Sequence, residues 1–226
     1  RDYLSAHFKQ VADIDLSGYE NWEPIGTWST GFTGTYDGNL CVVRNLKINR
    51  PDLDGVGLFR CGFGAKIKDI AVLDVNIVGR DDTGALLGHN GFWGATITGC
   101  CSSGVVQGRD EVGGLVGIGI YLSINDSYSL CNVSGNSRIG GLVGRFQWNP
   151  SIIKNCYSTG LVSGNSELGG LVGILSDTPS ITFSYYDTQT SGCTDTGKGT
   201  PKTTAEMKTQ ETFVDWDFTD VWGIDP

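Results

Sequence analysis

Four polar tetrads are the first places where side chains of this chain could do chemistry. They read Gly79-Arg80-Asp81-Asp82, Gly108-Arg109-Asp110-Glu111, Gly135-Asn136-Ser137-Arg138 and Gly164-Asn165-Ser166-Glu167. Carboxylates gathered beside arginines suit two kinds of chemistry. Several carboxylate oxygens can hold a hard cation such as calcium, and Asp81, Asp82, Asp110 and Glu111 are the candidate ligands. Alternatively, calcium and a basic residue could remove a proton from a uronate, as in polysaccharide lyases. Asp52 and Asp54 could extend the cluster. The spacing is not that of a regular calcium loop, and a solvated turn with mutually compensating charges, such as Arg138 over Glu167, accounts for the same residues. A second group is aromatic: Phe92 and Trp93, then Tyr121, then Phe146 and Trp148. Rings in a row can stack on sugars or form a protein contact, because they give large contact area at modest entropic cost. The plainer alternative is that they fold over a corner and cover it.

The remaining reactive residue types point away from chemistry. His7 and His89 share no spacing and read as surface or turn residues. The seven cysteines contain no CxxC pair, and with two histidines they argue against a zinc site. The serines fall mostly at repeated positions, which suits packing and turns.

The elements that position these groups come from a repeat. Gly113-Gly114-Leu115-Val116-Gly117 recurs at Gly140 to Gly144 and at Gly169 to Gly173, with weaker copies at Gly84 to Gly88 and Gly57 to Phe59. The leucines Leu58, Leu86, Leu115, Leu142 and Leu171 keep a period of about 28 residues, as repeat architectures do. A second motif keeps the same phase and begins at Ile67, Ile97, Ile124, Ile153 and Ile181. The segments are too short for helices and are separated by glycine turns. One coil therefore holds about three short strands, and coils stack in parallel because a single coil cannot bury its own apolar side. The isoleucines and leucines should form core columns. The column Ile70, Cys100, Ser127, Cys156, Ser184 should mark a tight corner, with Cys100 and Cys156 as core fillers.

The fold class is thus all-β, a parallel β-helix of about 28-residue coils. One solenoid domain is expected over 1–226, with an atypical first coil over 1–40, repeat coils over 41–200 and a cap over 201–226. In the cap, Thr203-Thr204-Ala205-Glu206 is a capping-box pattern that predicts a short helix to about Thr212. The aromatic tail from Phe213 through Trp222 should lie as a lid on the last coil. The chain carries 25 acidic and 16 basic residues, a formal charge of −9 that argues against a nucleic-acid partner. No apolar run approaches the length of a membrane span.

The Gly-Gly-Leu-Val-Gly copies, with the Asn/Asp-x-Tyr-Ser and Val-Ser-Gly segments before them, resemble the GLUG motif. That motif occurs in bacterial and archaeal surface proteins, in large adhesins and beside the catalytic domain of some IgA-specific metallopeptidases. The opening Val11 to Leu16, Trp22 to Gly26 and Gly34 to Asn39 resembles the usual start of such arrays, and Lys202 to Lys208 with Trp216 to Phe218 resembles their ending. Asn39-Leu40-Cys41 departs from the pattern, where a second glycine and a histidine are frequent. The resemblance implies a parallel β-helix, an extracellular or cell-surface setting and no catalytic residues. Metallopeptidase activity in that group belongs to a separate zinc domain, whose His-Glu-x-x-His motif this sequence lacks.

These readings converge on a non-enzymatic extracellular surface module, adhesin-like or a structural stalk, presenting a binding or assembly face. Its partner would be a protein or glycan at a cell surface, or other copies of itself. No cofactor is implied beyond the candidate calcium. The alternative is a carbohydrate-binding or lyase-like β-helix. Ice binding would need Thr-x-Thr rows repeating across coils, which the sequence does not supply.

Overall fold

A computed structural model describes residues 3–224. Each repeat turns through four short strands rather than three, because the stretch from the tetrad through Gly-Gly-Leu-Val-Gly is two strands folded at the leucine. Four parallel sheets result. The isoleucine sheet stacks His7–Lys9, Thr35–Asp37, Lys66–Lys68, Ala95–Thr98, Leu122–Asn125, Ile152–Lys154 and Ser180–Thr182. The tyrosine sheet runs from Ile14–Asp15 through Ala71–Val78, Cys101–Gln107, Tyr128–Ser129, Tyr157–Ser158 and Tyr185–Asp187 to Thr200–Lys202. The tetrad sheet holds Asp81–Gly84, Asp110–Gly113, Ser137–Gly140 and Ser166–Gly169. The glycine sheet holds Phe59–Gly62, Leu87–Asn90, Val116–Ile120, Val143–Gln147 and Val172–Ser176.

The register follows the repeat phase. Ile67 lies opposite Ile97, and Ile97, Ile124, Ile153 and Ile181 continue the column strand by strand. Tyr36 and Phe8 extend it toward the N-terminus. The anchor leucines are buried, and both columns join one continuous apolar core.

The corner after each isoleucine strand needs a left-handed residue. Asp69, Gly99, Asp126, Asn155 and Phe183 hold it, at φ between 48° and 63°. Glycine, asparagine and aspartate tolerate this conformation best, which explains four of these five residues, Phe183 being the exception. The buried column beside it alternates thiol and hydroxyl for a bonding reason. The Cys100 amide donates to Ser127 Oγ at 3.1 Å, and the Ser127 hydroxyl donates to the Asn125 carbonyl at 2.7 Å. Cys156 and Ser184 repeat the arrangement at 3.1 and 2.8 Å. Small polar atoms thus satisfy a corner amide that no ladder partner reaches.

The tetrad and glycine sheets meet backbone to backbone. A Cβ on Gly113 would lie 2.0 Å from the Val116 carbonyl oxygen, and one on Gly141 would lie 2.2 Å from the Gly170 oxygen. Only glycine permits this approach, so the Gly-Gly-Leu-Val-Gly motif is the signature of a thin arch.

The C-terminus departs from expectation in two ways. The capping box is present, since the Glu206 amide donates to Thr203 Oγ1 at 3.2 Å and the Thr203 amide to the Glu206 carboxylate at 2.8 Å. It starts two single 3-10 turns, Glu206–Lys208 and Gln210–Thr212, rather than one continuous helix. Among the described residues, the one α-helical turn is Thr188–Ser191, capped by Asp187 and ended by left-handed Gly192. The aromatic tail is a strap folded back along the outer face of the tyrosine sheet, not a lid on the last coil. Trp222 packs on Trp216 at 4.2 Å and reaches Tyr157 and Tyr128 at 5.9 and 6.1 Å. The apolar outer column Tyr128, Tyr157, Tyr185 is what it covers. The expected division of the chain begins and ends on residues 1–2 and 225–226, which lie outside the described residues.

Candidate functional site

The tetrads stack in register, with Asp110 opposite Asp81 and Ser137 opposite Asp110. Their last residues, Asp82, Glu111, Arg138 and Glu167, are all left-handed. The charges pair from coil to coil as a staircase. Arg80 grips Asp54 of the coil before through Nε at 2.6 Å and through Nη2. Arg109 grips Asp81 in the same way, with Nε at 2.9 Å. Arg138 donates to Glu111 at 2.7 Å and lies 3.5 Å from Asp110 and 3.4 Å from Glu167. The Arg80 hydrogen bond holds the Asp54 carboxyl below the usual carboxylate range. Burial pushes the Glu111 carboxyl up, against the pull of Arg138.

In this geometry the candidate calcium ligands already have partners. Asp81, Asp110 and Glu111 face guanidinium groups, and Asp82 faces His89, so their oxygens are already engaged. Among the described residues, no three His, Cys, Asp or Glu side chains come together to hold a metal ion. The compensating-charge alternative describes the tetrads, including the expected Arg138–Glu167 pair.

Sequence reading missed the pair between His89 and Asp82. Their Nδ1 and Oδ2 atoms share a hydrogen bond at 2.8 Å, and Trp28 packs on the imidazole at 4.7 Å. His89 is a half-buried strand residue rather than a surface or turn residue. The pair spans the arch within one coil, and a separation of seven residues across a glycine fold carries no local signal. His7 lies exposed on the first isoleucine strand.

The aromatic group occupies the corner between the glycine and isoleucine sheets. Trp148 packs between Phe92 at 5.1 Å and Tyr121 at 5.3 Å. Phe92 is 63% exposed, Trp93 78% and Tyr121 38%. Phe146 does not belong to this row and is fully buried. Its strand runs on to Gln147, and Phe146 stands opposite Gly119, whose missing side chain leaves room for the ring. The corner is therefore a mixed case: Phe92, Tyr121 and Trp148 cover one another, yet they present ring surface together with Trp93.

The seven cysteines are free thiols. Cys100 and Cys156 are buried in the corner column, as expected of core fillers. No helix among the described residues is long and apolar enough to cross a membrane.

Comparison with known proteins agrees with this geometry. Residues 135–163 match the family model of the GLUG motif. A candidate Gly-rich membrane protein of Evansella cellulosilytica is 34% identical over 121 residues, 51% of this chain and 11% of that protein. Halomucin of Haloquadratum walsbyi is 34% identical over 120 residues, 49% of this chain and 1% of that protein. The chain thus spans about a tenth or less of the curated relatives it matches. A solved structure of a candidate immunoglobulin A1 protease from Bacteroides ovatus superposes with a TM-score of 0.64 at 25% identity, covering 80% of this chain and 59% of that one. A chain described as IgA1 protease superposes at 0.62 with 23% identity, covering 81% of this chain and 15% of that one, and shares the fold. The chain carries the GLUG motif, as the residues suggested, on an all-β parallel solenoid.

Proposed function

We propose that this GLUG-bearing solenoid is a non-enzymatic extracellular surface module, adhesin-like, that presents the corner of Phe92, Trp93, Tyr121 and Trp148 as its binding face. One observation carries the reading: large rings from three successive coils gather at one corner, where Phe92, Trp93 and Tyr121 are exposed, Trp93 at 78%, and Trp148 is half-buried between its neighbours. Exposed aromatic clusters of this kind are costly to leave in water and mark contact surfaces. The continuous core and the coil-to-coil arginine staircase support a rigid body suited to display. The names of the curated relatives and of the GLUG resemblance favour a surface setting.

The tetrad carboxylates are paired with arginines or, at Asp82, with His89, which weighs against the lyase-like alternative. A glycan array probed with wild-type protein and with Trp93→Ala tests the reading. Wild type should bind a subset of glycans, and the variant should lose that signal. A silent array with folded wild-type protein would contradict it.

A further inference from the structure

The outer face of the isoleucine sheet begins where the aromatic corner ends. Because Ile67, Ile97, Ile124, Ile153 and Ile181 point into the core, the residues on either side of each point outward. One outward column reads His7, Thr35, Lys66, Thr96, Ser123, Ile152, Ser180. The other reads Lys9, Asp37, Lys68, Thr98, Asn125, Lys154, Thr182. Every bonded pair is parallel, and no other segment among the described residues adds to this sheet.

The charge on this face runs against that of the chain. The whole sequence has 25 acidic and 16 basic residues, yet half of its lysines, Lys9, Lys66, Lys68 and Lys154, stand here. Asp37 is the one carboxylate on the strands, and Lys68 neutralises it at 2.9 Å. At the far corner Asp69 is tied to the same lysine at 3.2 Å, and Asp126 accepts from Asn155 at 3.0 Å. Lys66 and Lys154 are exposed and make no ion pair among the described residues. They stand three strands and two residues along the strand apart, roughly 16 Å at the usual strand spacing and rise. Between them lie Thr96, Thr98, Ser123 and Asn125, a run of hydroxyl and amide groups. Trp93 and Tyr121 stand directly before the two strands that carry these residues.

We propose that this sheet face and the aromatic corner form one site for an anionic polysaccharide lying across the coils. The rings stack on sugar faces, the threonine, serine and asparagine groups bond hydroxyls, and Lys66 and Lys154 meet the acidic groups. The inference rests on the aromatic-corner reading and adds the charge of the ligand to it.

The test uses the full chain and a decamer of galacturonic acid, its methyl ester, dextran sulfate, poly-glutamate and a single-stranded oligonucleotide. Affinities are measured by calorimetry for wild type, Trp93→Ala and the double variant Lys66→Gln/Lys154→Gln. Both lysines are exposed, so the double variant should fold. The acid decamer should bind about 2- to 30-fold more tightly than its ester, as expected for two exposed charge contacts. The double variant should lose that advantage while leaving the ester unchanged, and Trp93→Ala should weaken both. Equal affinity for acid and ester, or an unchanged double variant, would overturn the lysine assignment. If Trp93→Ala still abolished binding in that case, the aromatic reading would stand alone. Equal binding of poly-glutamate or the oligonucleotide would overturn the polysaccharide in favour of a general polyanion surface. Failure of both the decamer and dextran sulfate to bind would overturn the proposal, whether or not neutral glycans bind the corner.

Discussion

Gly141→Ala probes the arch on which every coil depends. The new methyl carbon would lie 2.2 Å from the Gly170 carbonyl oxygen, 2.8 Å from Ser158 Oγ and 2.9 Å from Ser158 Cβ. Ordinary contact begins more than an ångström beyond the first of these distances. The oxygen belongs to backbone held between bonded strands, so neither side can move far. Overpacking in a close-packed interior costs about 1–3 kcal/mol, and a backbone clash of this size belongs at the upper end. Alanine returns up to roughly 1 kcal/mol by restricting the unfolded chain. A net loss of about 2 kcal/mol would lower the midpoint of thermal unfolding by roughly 4–8 °C for a chain of this size. Gly18→Ala is the control, because a Cβ there meets nothing within 4 Å. Differential scanning calorimetry of both variants reads the effect. A Gly141→Ala midpoint within a degree of the Gly18→Ala midpoint would refute the claim that the motif exists to permit backbone contact.

Other perturbations separate the remaining parts of the structure. Arg80→Gln removes the hydrogen bond that depresses Asp54. In the wild type this carboxylate contributes stability at pH values above its ordinary pKa of 3.8, and loses it as pH falls through the depressed value. The variant should therefore unfold at a higher pH on acid titration followed by circular dichroism, and coincident curves would contradict the pairing. Trp222→Ala should loosen the strap and expose residues 203–224 to limited proteolysis while the solenoid's circular dichroism stays unchanged; wild-type cleavage kinetics would count against the strap. Burial pushes the Cys100 thiol up to about 12 and the Cys156 thiol up as well. Iodoacetamide followed by peptide mass spectrometry should therefore label half-exposed Cys41 first and leave Cys100 and Cys156 unmodified until denaturant is added. Early labelling of Cys100 would place the corner column wrongly.

The repeat made much of the fold legible. Ile67 through Ile181 and Leu58 through Leu171 recur in phase, and parallel stacking converts phase directly into register. The thiol and hydroxyl corner was legible for the same reason, since small residues shared one position. What escaped was decided across strands rather than along them. Phe146 looks like a loop aromatic by its distance from the glycine motif, yet strand parity and the gap at Gly119 draw it inside. His89 finds Asp82 only because the arch folds at Leu86. The tail's aromatics announced a cap, but its destination depended on the apolar outer column of Tyr128, Tyr157 and Tyr185, spread over three coils. The tetrads displayed their charges plainly, while the reach of each arginine to the coil before it is a property of stacked strands.

The proposed binding face is open to direct observation through the indole protons. The six tryptophans occupy distinct settings: Trp93 is exposed at the corner, Trp148 packs beside it, and Trp216, within the strap, donates its indole to the Phe183 carbonyl at 2.8 Å. A heteronuclear NMR titration of the intact chain with a glycan identified on the array resolves them, once each indole is assigned by substitution. The account predicts that the Trp93 and Trp148 indole signals move with saturating glycan while those of Trp216 and Trp222 stay fixed. Movement of the strap indoles with a stationary Trp93 would contradict it.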